Sequence, residues 1–229
     1  MLSIGRMPRV LTAEAERAFR ERLCRVAERQ FARLGYPGVT LRALTEELGC
    51  SRMTPYRYFA DKEAILAAVR ASAFARLAEA SEAAAAGATD PLDQLDALGR
   101  AYLRFAADEP DAYRLMFAFP ETPDTGQYAE LAKQLKRSRR PMVDAVRGAG
   151  QAGLIVGEPD TIAAVLWAGL HGIITLQLAD KLHVGTSHDA VSEAMMSVLL
   201  RGFAADPAAH PRPAVARQGV STDEEGASR

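Results

Sequence analysis

Residues that cap helices recur along the chain, each just before apolar residues at helical spacing. They stand at Thr40, Ser51, Asp61, Ser187 and at Asp90, which a proline follows at the first helical position. Such side chains accept hydrogen bonds from the free amide groups of a first helical turn, where proline is also tolerated. Since no stretch shows the alternation typical of a strand, the sequence predicts an all-α fold.

Glycine and proline indicate where the helices end. The first helix begins near Thr12 and is predicted to end at residues 35–38, Gly-Tyr-Pro-Gly, because glycine tolerates the left-handed end of a helix and proline cannot continue one. Pro141 is predicted to bend or break a helix that begins near Gln127. Residues 204–229 are too poor in large apolar groups to fold alone, and we expect a disordered tail there.

Charge is distributed unevenly, although the formal net charge is only −1. Residues 1–62 contain 12 of the 28 Lys and Arg residues but only 7 of the 29 Asp and Glu residues. The remainder is therefore acidic. A basic N-terminal segment joined to an acidic remainder indicates two roles, the first of which involves an anionic partner.

Several classes of protein and site lack support. No apolar run reaches the roughly 18 residues of a membrane span, and the first ten residues lack the apolar core of a secretion signal. Cys24 and Cys50 belong to no CxxC pair, which argues against a disulfide framework or a zinc site. No phosphate loop, nucleophile elbow or metal-spaced cluster indicates an enzyme. We expect a cytoplasmic protein with no cofactor, no metal and no membrane contact.

A helix-turn-helix unit is indicated within the basic segment. Gly49 follows a short apolar helix and supplies a tight turn, after which Ser51 begins a second helix, the recognition helix. Arg52, Met53 and Tyr56 are predicted to face outward from it. Arg reads guanine through two hydrogen bonds, Met contacts the thymine methyl group, and tyrosine hydroxyls suit phosphate oxygens.

A proline lies inside this predicted recognition helix. Pro55 is its fourth residue and forfeits only the first internal hydrogen bond, whereas a proline deeper in a helix costs about 3 kcal/mol or more. Phe59 lies four residues later, and both are predicted to face the core. Because the residue before a proline is disfavoured in helical geometry, Thr54 is expected to make the first turn irregular.

These features resemble the TetR family of bacterial transcriptional regulators over residues 20–66. The chain carries the family's GY before the second helix, its LG turn, the YRYF end of its recognition helix and its DKEA-type start of the following helix. The resemblance implies an all-α dimer. Residues 1–11 would be an N-terminal extension, residues 12–62 the DNA-binding domain, and residues 63–203 the ligand-binding and dimerisation domain, with a helix from Asp61 linking the two domains.

The resemblance also implies which residues contact DNA. They are Thr40, Arg42, Arg52, Met53, Thr54, Tyr56, Arg57, Tyr58 and Lys62. Arg42, Arg52 and Met53 match base-reading positions. The others match mainly phosphate-contacting positions, except Arg57, which either contacts DNA or pairs with an acid of its own domain. For Arg42, Arg52 and Lys62 the alternative is an ordinary solvated side chain.

The stretches DEPDAYRLMF and LWAGLHG resemble the WHG-type C-terminal domain of one branch of this family. Such domains often enclose a pocket for a small organic ligand, with apolar walls and a few polar groups. The candidate ligand-binding residues are Tyr102, Phe105, Tyr113, Met116, Phe117, Trp167 and His171. The alternative for each aromatic is plain core packing. For His171, four residues after Trp167, it is a hydrogen-bonded structural role.

The last two helices are predicted to form a dimer interface. Small or apolar residues indicate it, namely Gly169, Gly172, Val191, Ala194, Met195 and Val198. Two such helices from each subunit would form a four-helix interface, and packing within one chain is the alternative. The basic run from Lys133 to Arg140 is interpreted as a solvated helix face, with an accessory contact as the alternative.

Taken with the resemblance, the sequence predicts a sequence-specific DNA-binding transcriptional regulator. It would be a homodimeric repressor that a small apolar or aromatic ligand releases from a near-palindromic double-stranded operator. The alternative is a helical regulator with no effector, controlled by its abundance or by protein partners. That alternative requires a C-terminal domain so filled by its own aromatic residues that no cavity remains.

Overall fold

The computed structural model describes residues 12–117, 127–182 and 187–206, and nearly all of them are helical. The helices are α1 (Ala13–Gly38), α2 (Leu41–Leu48), α3 (Lys62–Ala86), α4 (Pro91–Asp108), α5 (Pro110–Phe117), α6 (Ala129–Gln151), α7 (Pro159–Leu178) and α8 (His188–Phe203). Within these residues the β-structure is one isolated bridge between Ile155 and Ala204. The all-α prediction is confirmed. The predicted N-terminal extension and most of the predicted tail lie outside the described residues.

Most of the predicted capping residues begin helices where the sequence places them, and Ser51, which precedes no full helix, is the exception. The side chain of Thr40 accepts a hydrogen bond from the amide three residues later at 3.1 Å, as do those of Asp61 at 2.7 Å and Ser187 at 3.2 Å. Asp90 and Glu158 cap α4 and α7 in the same way, and a proline follows each. These contacts satisfy amide groups that have no partner inside the helix.

Two of the long helices differ from the prediction. Gly35 leaves helical geometry with φ of 69°, as expected for an end of α1, but the next residues make a further turn that carries the element to Gly38. α6 passes through Pro141 without a break. It packs along its length against α3, α4 and α7, and this packing compensates for the hydrogen bond that proline removes.

Buried apolar residues form two separate cores. The first joins α1, α2 and the start of α3, and its members include Leu23, Phe31, Leu44, Phe59, Ile65 and Val69. The second fills the space among α3 to α8. Because Ile65 and Val69 belong to the first core, the N-terminal packing unit extends several residues beyond position 62. α3 runs through both cores, and the short helix α5 also contributes to both, with Leu115 in the first core and Tyr113 and Met116 in the second.

α7 is long and apolar enough to cross a membrane by length and composition alone, contrary to our reading of the sequence. A core helix of a globular protein passes the same test. Ile162, Leu166, Leu170 and Ile174 on one side of α7 are fully or almost fully buried in the second core. We therefore interpret α7 as a core helix.

Candidate functional site

The segment after α2 forms tight turns in place of the predicted full helix. The Thr54 amide donates to the Ser51 carbonyl at 2.9 Å, and the Arg57 amide donates to the Thr54 carbonyl at 3.1 Å. Pro55 then begins a single 3-10 turn, Pro55–Arg57. Proline fits that first position because its missing N–H has no partner to lose there. The recognition element is therefore shorter than the sequence predicts, and residues 51–59 are named the recognition turn below.

The backbone of Thr54 also corrects an expectation. Its φ of −63° and ψ of −46° are helical, although the following proline disfavours that region. Pro55 and Phe59 are buried as predicted, and Phe59 packs the recognition turn against the first core. Gly49 has φ of 65°, so it adopts the left-handed conformation that this tight turn requires.

Four predicted DNA-contacting side chains of the recognition turn point into solvent. Arg52 and Arg57 are exposed, Met53 is 67% exposed and Tyr56 is 51% exposed. Neither arginine forms an ion pair with another described residue, so the intradomain pairing considered for Arg57 finds no acid in this part of the chain. A basic surface that also carries an exposed methionine suits the edges of base pairs and phosphate groups.

The other predicted DNA-contacting residues make different contacts within the domain. Arg42 is exposed and pairs with Glu46 at 2.7 Å, a bond that DNA can replace because both groups lie in solvent. Tyr58 is half-buried, and its ring stacks on that of Phe19 with centroids 4.6 Å apart. Thr40 is exposed but its side-chain oxygen already caps α2.

Lys62 has a structural role that the sequence did not indicate. Its Nζ donates to the carbonyls of Tyr36 at 2.9 Å and Val39 at 3.0 Å, and it lies 4.1 Å from the centre of the Tyr36 ring. These bonds tie the connection between α1 and α2 to the start of α3. An ammonium group has three N–H donors, so one remains for the predicted phosphate contact.

A cavity of about 250 Å³ lies in the second domain. Three of the seven predicted ligand-binding residues line it, namely Tyr102, Phe117 and Trp167. The rest of the wall was not predicted and consists of Phe74, Leu77, Ser81, Leu98, Leu135, Ser138, Arg139, Met142, Val143, Ala163, Ala164 and Leu170. On α6, the spacing of Leu135, Ser138 and Met142 is the sequence signal that indicates this face.

The other four predicted ligand-binding residues lie outside that wall. Phe105, Tyr113 and Met116 are buried in the second core, which matches the packing alternative. His171 stacks on Trp167 with centroids 5.1 Å apart, as its position one turn later on α7 predicts. Its Nδ1 lies 2.7 Å from the Tyr113 hydroxyl, which gives it the hydrogen-bonded structural role.

A chain of hydrogen bonds runs from the cavity wall into the core. Trp167 Nε1 donates to the Tyr102 hydroxyl at 3.0 Å, that hydroxyl lies 2.9 Å from the Tyr113 hydroxyl, and Tyr113 contacts His171. Because the indole N–H of Trp167 can only donate, the Tyr102 hydroxyl must donate its proton to the Tyr113 hydroxyl oxygen. The Tyr113 hydroxyl then donates its own proton to Nδ1 of His171. The hydroxyls of both buried tyrosines find an acceptor only if Nδ1 of His171 carries no proton.

Burial shifts the pKa values of this network in the direction that keeps it neutral. It raises the pKa of Tyr102 to about 12 and raises the pKa of Tyr113 further. It also lowers the pKa of His171 below its usual value. Removing these groups from water disfavours their charged forms, so the chain of bonds is intact near neutral pH.

Some of the residues predicted to form the dimer interface pack within the subunit, and others are exposed to solvent. Gly169 allows α7 and α8 to approach within one subunit, because a Cβ there would lie 2.7 Å from Leu199. Val191, Ala194 and Met195 are half-buried. Gly172 faces open space and Val198 is 60% exposed, so both remain available to a partner.

α7 exposes further apolar residues that the sequence reading missed. Val165, Ala168 and Leu176 are exposed and share one side of the helix with Gly172, at spacings of three and four residues. Together these four residues are named the α7 outer face. The described ranges contain no group of three His, Cys, Asp or Glu side chains that could hold a metal ion.

Comparison with known proteins identifies both domains. Residues 23–69 match the family described as bacterial regulatory proteins, tetR family, and residues 95–199 match the tetracyclin repressor-like C-terminal domain. No curated protein matches the chain. A structure from Rhodococcus sp. RHA1, described as a protein with unknown function, is 32% identical, with a TM-score of 0.70 over 81% of this chain and 94% of that one.

Two more distant structures share the fold. A TetR family transcription regulator from Marinobacter aquaeolei is 19% identical, with a TM-score of 0.65 over 83% of this chain and 98% of that one. A TetR family transcriptional regulator from Thermus thermophilus is also 19% identical, with a TM-score of 0.64 over 79% and 97% of the two chains.

Proposed function

This chain belongs to the TetR family of DNA-binding transcription regulators, and from that membership we propose that it is a homodimeric repressor that a small organic ligand releases from its operator. Members of this family are transcription factors and not enzymes. The observation that carries the proposal is the position of α5, which contributes side chains to the core of the DNA-binding domain and to the cavity wall of the second domain.

The recognition turn is proposed to read base edges in the major groove. Arg52 and Met53 reach the bases, Arg57 lies beside them, and Tyr56 contacts either a base or a phosphate. The remaining phosphate contacts are assigned to Thr40, Thr54, Tyr58 and Lys62, with Arg42 at a flanking base. The exposure of the four recognition-turn side chains supports this reading.

The α7 outer face is proposed to pair with that of a second copy, with Val198 of α8 at its edge. A stripe of small and apolar residues at helical spacing permits close helix packing, and a two-fold axis places the same stripe on both sides. Such a dimer presents two recognition turns to successive major grooves of a near-palindromic operator, about 34–36 Å apart.

Three contacts support communication between the cavity and the DNA-binding domain. Phe117 of α5 lines the cavity, while Leu115, two residues earlier, is buried in the first core. The buried guanidinium of Arg70 on α3 donates to the Met116 carbonyl at 2.9 Å. A ligand that moves α5 therefore moves side chains that pack under the DNA-binding helices.

A partly buried ion-pair network lies at the same junction. Arg76 of α3 pairs with Glu109, just before α5, at 2.7 Å and with Glu28 of α1 at 3.1 Å. A ligand releases DNA if it binds more tightly to an arrangement of this junction that no longer matches the operator. The alternative regulator without an effector is disfavoured by the cavity, because that alternative requires a filled second domain.

Selection of DNA fragments from the source genome with purified full-length protein tests the proposal. We expect a small set of enriched fragments that share a near-palindromic site, and a footprint with two-fold symmetry. Sedimentation at the protein concentration used for the footprint should give a dimer. A footprint over a single half-site, or a monomer at concentrations that saturate the operator, would contradict the dimeric reading.

A further inference from the structure

The cavity wall is charged at one place only. Its interior is lined mainly by aliphatic and aromatic groups such as Phe74, Leu77 and Leu98, and its neutral polar groups include the hydroxyls of Ser81 and Ser138. Among the residues that line it, Arg139 is the one that carries a charge. Arg139 is exposed, which places its guanidinium where the cavity meets solvent. The cavity therefore combines an apolar interior with one cationic edge.

We propose that the effector is an amphiphilic organic anion whose apolar body fills the cavity and whose carboxylate binds Arg139. The inference rests on the proposed function, because it names the effector class for the same cavity. It also gives a role to Arg139 within the basic run Lys133–Arg140, for which the sequence offers a solvated helix face or an accessory contact.

The other two arginines of that run have partners, whereas Arg139 has none among the residues that the structure describes. Arg137 donates to Glu82 at 2.8 Å, and Arg140 lies 3.4 Å from Asp144. Arg139 forms no ion pair or hydrogen bond with any residue in the described ranges. Its fork of N–H groups matches a carboxylate through two parallel hydrogen bonds.

The tyrosine hydroxyl and the indole N–H group at the cavity already form hydrogen bonds within the protein. Trp167 Nε1 donates to the Tyr102 hydroxyl, and that hydroxyl bonds to Tyr113. A ligand that competes for these atoms would break a satisfied chain, so a hydrocarbon body suits the interior better than a polar one.

The same wall disfavours a cationic effector. It contains no Asp or Glu, and burial raises the pKa of Tyr102 to about 12, which keeps this phenol neutral. An ammonium ligand would leave water without gaining an opposite charge and would lie near Arg139, a like charge. The volume of about 250 Å³ equals roughly eight water volumes of about 30 Å³, which suits a chain of about eight to ten carbon atoms.

Trp167 provides a direct readout, because it is the only tryptophan in the chain and it lines the cavity. Its fluorescence is followed while full-length protein is titrated with decanoate, 1-decanol or decylammonium, three probes that share a chain length. We expect saturable binding of decanoate, weaker binding of decanol and the weakest binding of decylammonium.

Two matched variants locate the carboxylate. Arg139→Gln should raise the Kd for decanoate about fivefold to tenfold and change that for decanol less than about twofold. Arg140→Gln removes the same charge from the neighbouring residue, which does not line this cavity, and should change both constants less than about twofold. The inference would be overturned if the two variants lost equal affinity for decanoate. It would also be overturned if decylammonium bound as tightly as decanoate, or if decanoate showed no saturable binding.

Operator binding in the same samples separates this inference from the proposed function. Decanoate that binds through Arg139 without changing operator affinity supports the anion site and contradicts ligand release. Unliganded protein that binds no operator contradicts the proposed function, while the fluorescence titrations still decide the ligand class.

Discussion

The recognition turn and the second core both carry tyrosine hydroxyls, but the two regions treat them in opposite ways. Tyr56 is 51% exposed and forms no hydrogen bond with another described residue. Tyr113 is 2% exposed and has a hydrogen-bond partner on each side. A polar group left free on a surface is available to a partner, whereas a buried one must be satisfied internally. The first region is built to bind, and the second is built to hold a shape beside a cavity.

The largest effect is expected where α5 joins the two regions. Leu115→Ala removes a side chain that is 2% exposed in the first core and should lower the free energy of unfolding by about 2–5 kcal/mol. Urea unfolding followed by Trp167 fluorescence and by circular dichroism measures it. Met53→Ala, at a 67% exposed site, is the control and should change stability by less than about 0.5 kcal/mol. A loss below about 1 kcal/mol for Leu115→Ala would mean that α5 is only loosely joined to the first core.

A pair of hydroxyl deletions tests the contrast itself. Tyr113→Phe leaves Tyr102 and His171 without their shared partner and should cost about 1–3 kcal/mol of stability. Tyr56→Phe removes the same atom from the recognition turn and should leave stability unchanged in the same urea titration. If the two variants lose equal stability, the buried chain of hydrogen bonds stabilises the fold no more than an exposed hydroxyl does.

The sequence predicts a feature well when the residues that form it are close together along the chain. Thr40, Gly49 and Asp61 act within a few residues of themselves, so their caps and turn could be read directly. The recognition helix was predicted too long because Pro55 begins a new turn instead of occupying the first turn of a helix.

Features that depend on distant residues were harder to predict. The cavity wall combines side chains from α3, α4, α5, α6 and α7, so only a fraction of it was identified. Gly169 has the small size expected at a dimer interface, but α8 of the same chain already occupies its face. Spacing shows which residues share a side of a helix, but it does not show which neighbour that side meets.

The recognition turn should respond to DNA sequence and not to stability. Arg52→Ala should weaken operator binding by about 1–3 kcal/mol and relax the preference at one base position. Fluorescence anisotropy with operator duplexes that vary at each position measures both effects. Arg140→Ala, on α6, is the matched control and should leave affinity unchanged. An equal loss on every duplex would make Arg52 a phosphate contact.

The smallest effect concerns the pH dependence of the second core. Because burial lowers the pKa of His171, the unfolded chain binds this proton more tightly than the folded chain does. The associated stability is fully present above the unfolded pKa of about 6.5 and is lost as the pH falls below it.

The groups that face His171 are the neutral hydroxyls of Tyr113 and Thr175 and the rings of Trp167 and Phe117. The stability difference between wild type and His171→Asn should therefore shrink from about pH 7.5 to about pH 5.5 in urea titrations. A difference that stays constant or grows over this range would show that His171 is not held neutral by the fold.

Whether the two regions communicate is tested most directly by the Kd of decanoate, measured through Trp167 fluorescence with and without saturating operator duplex. Since coupling between two sites is reciprocal, we expect the duplex to weaken decanoate binding by the same factor by which decanoate weakens operator binding. Equal decanoate affinities for free and DNA-bound protein would contradict a link between the cavity and the recognition turn.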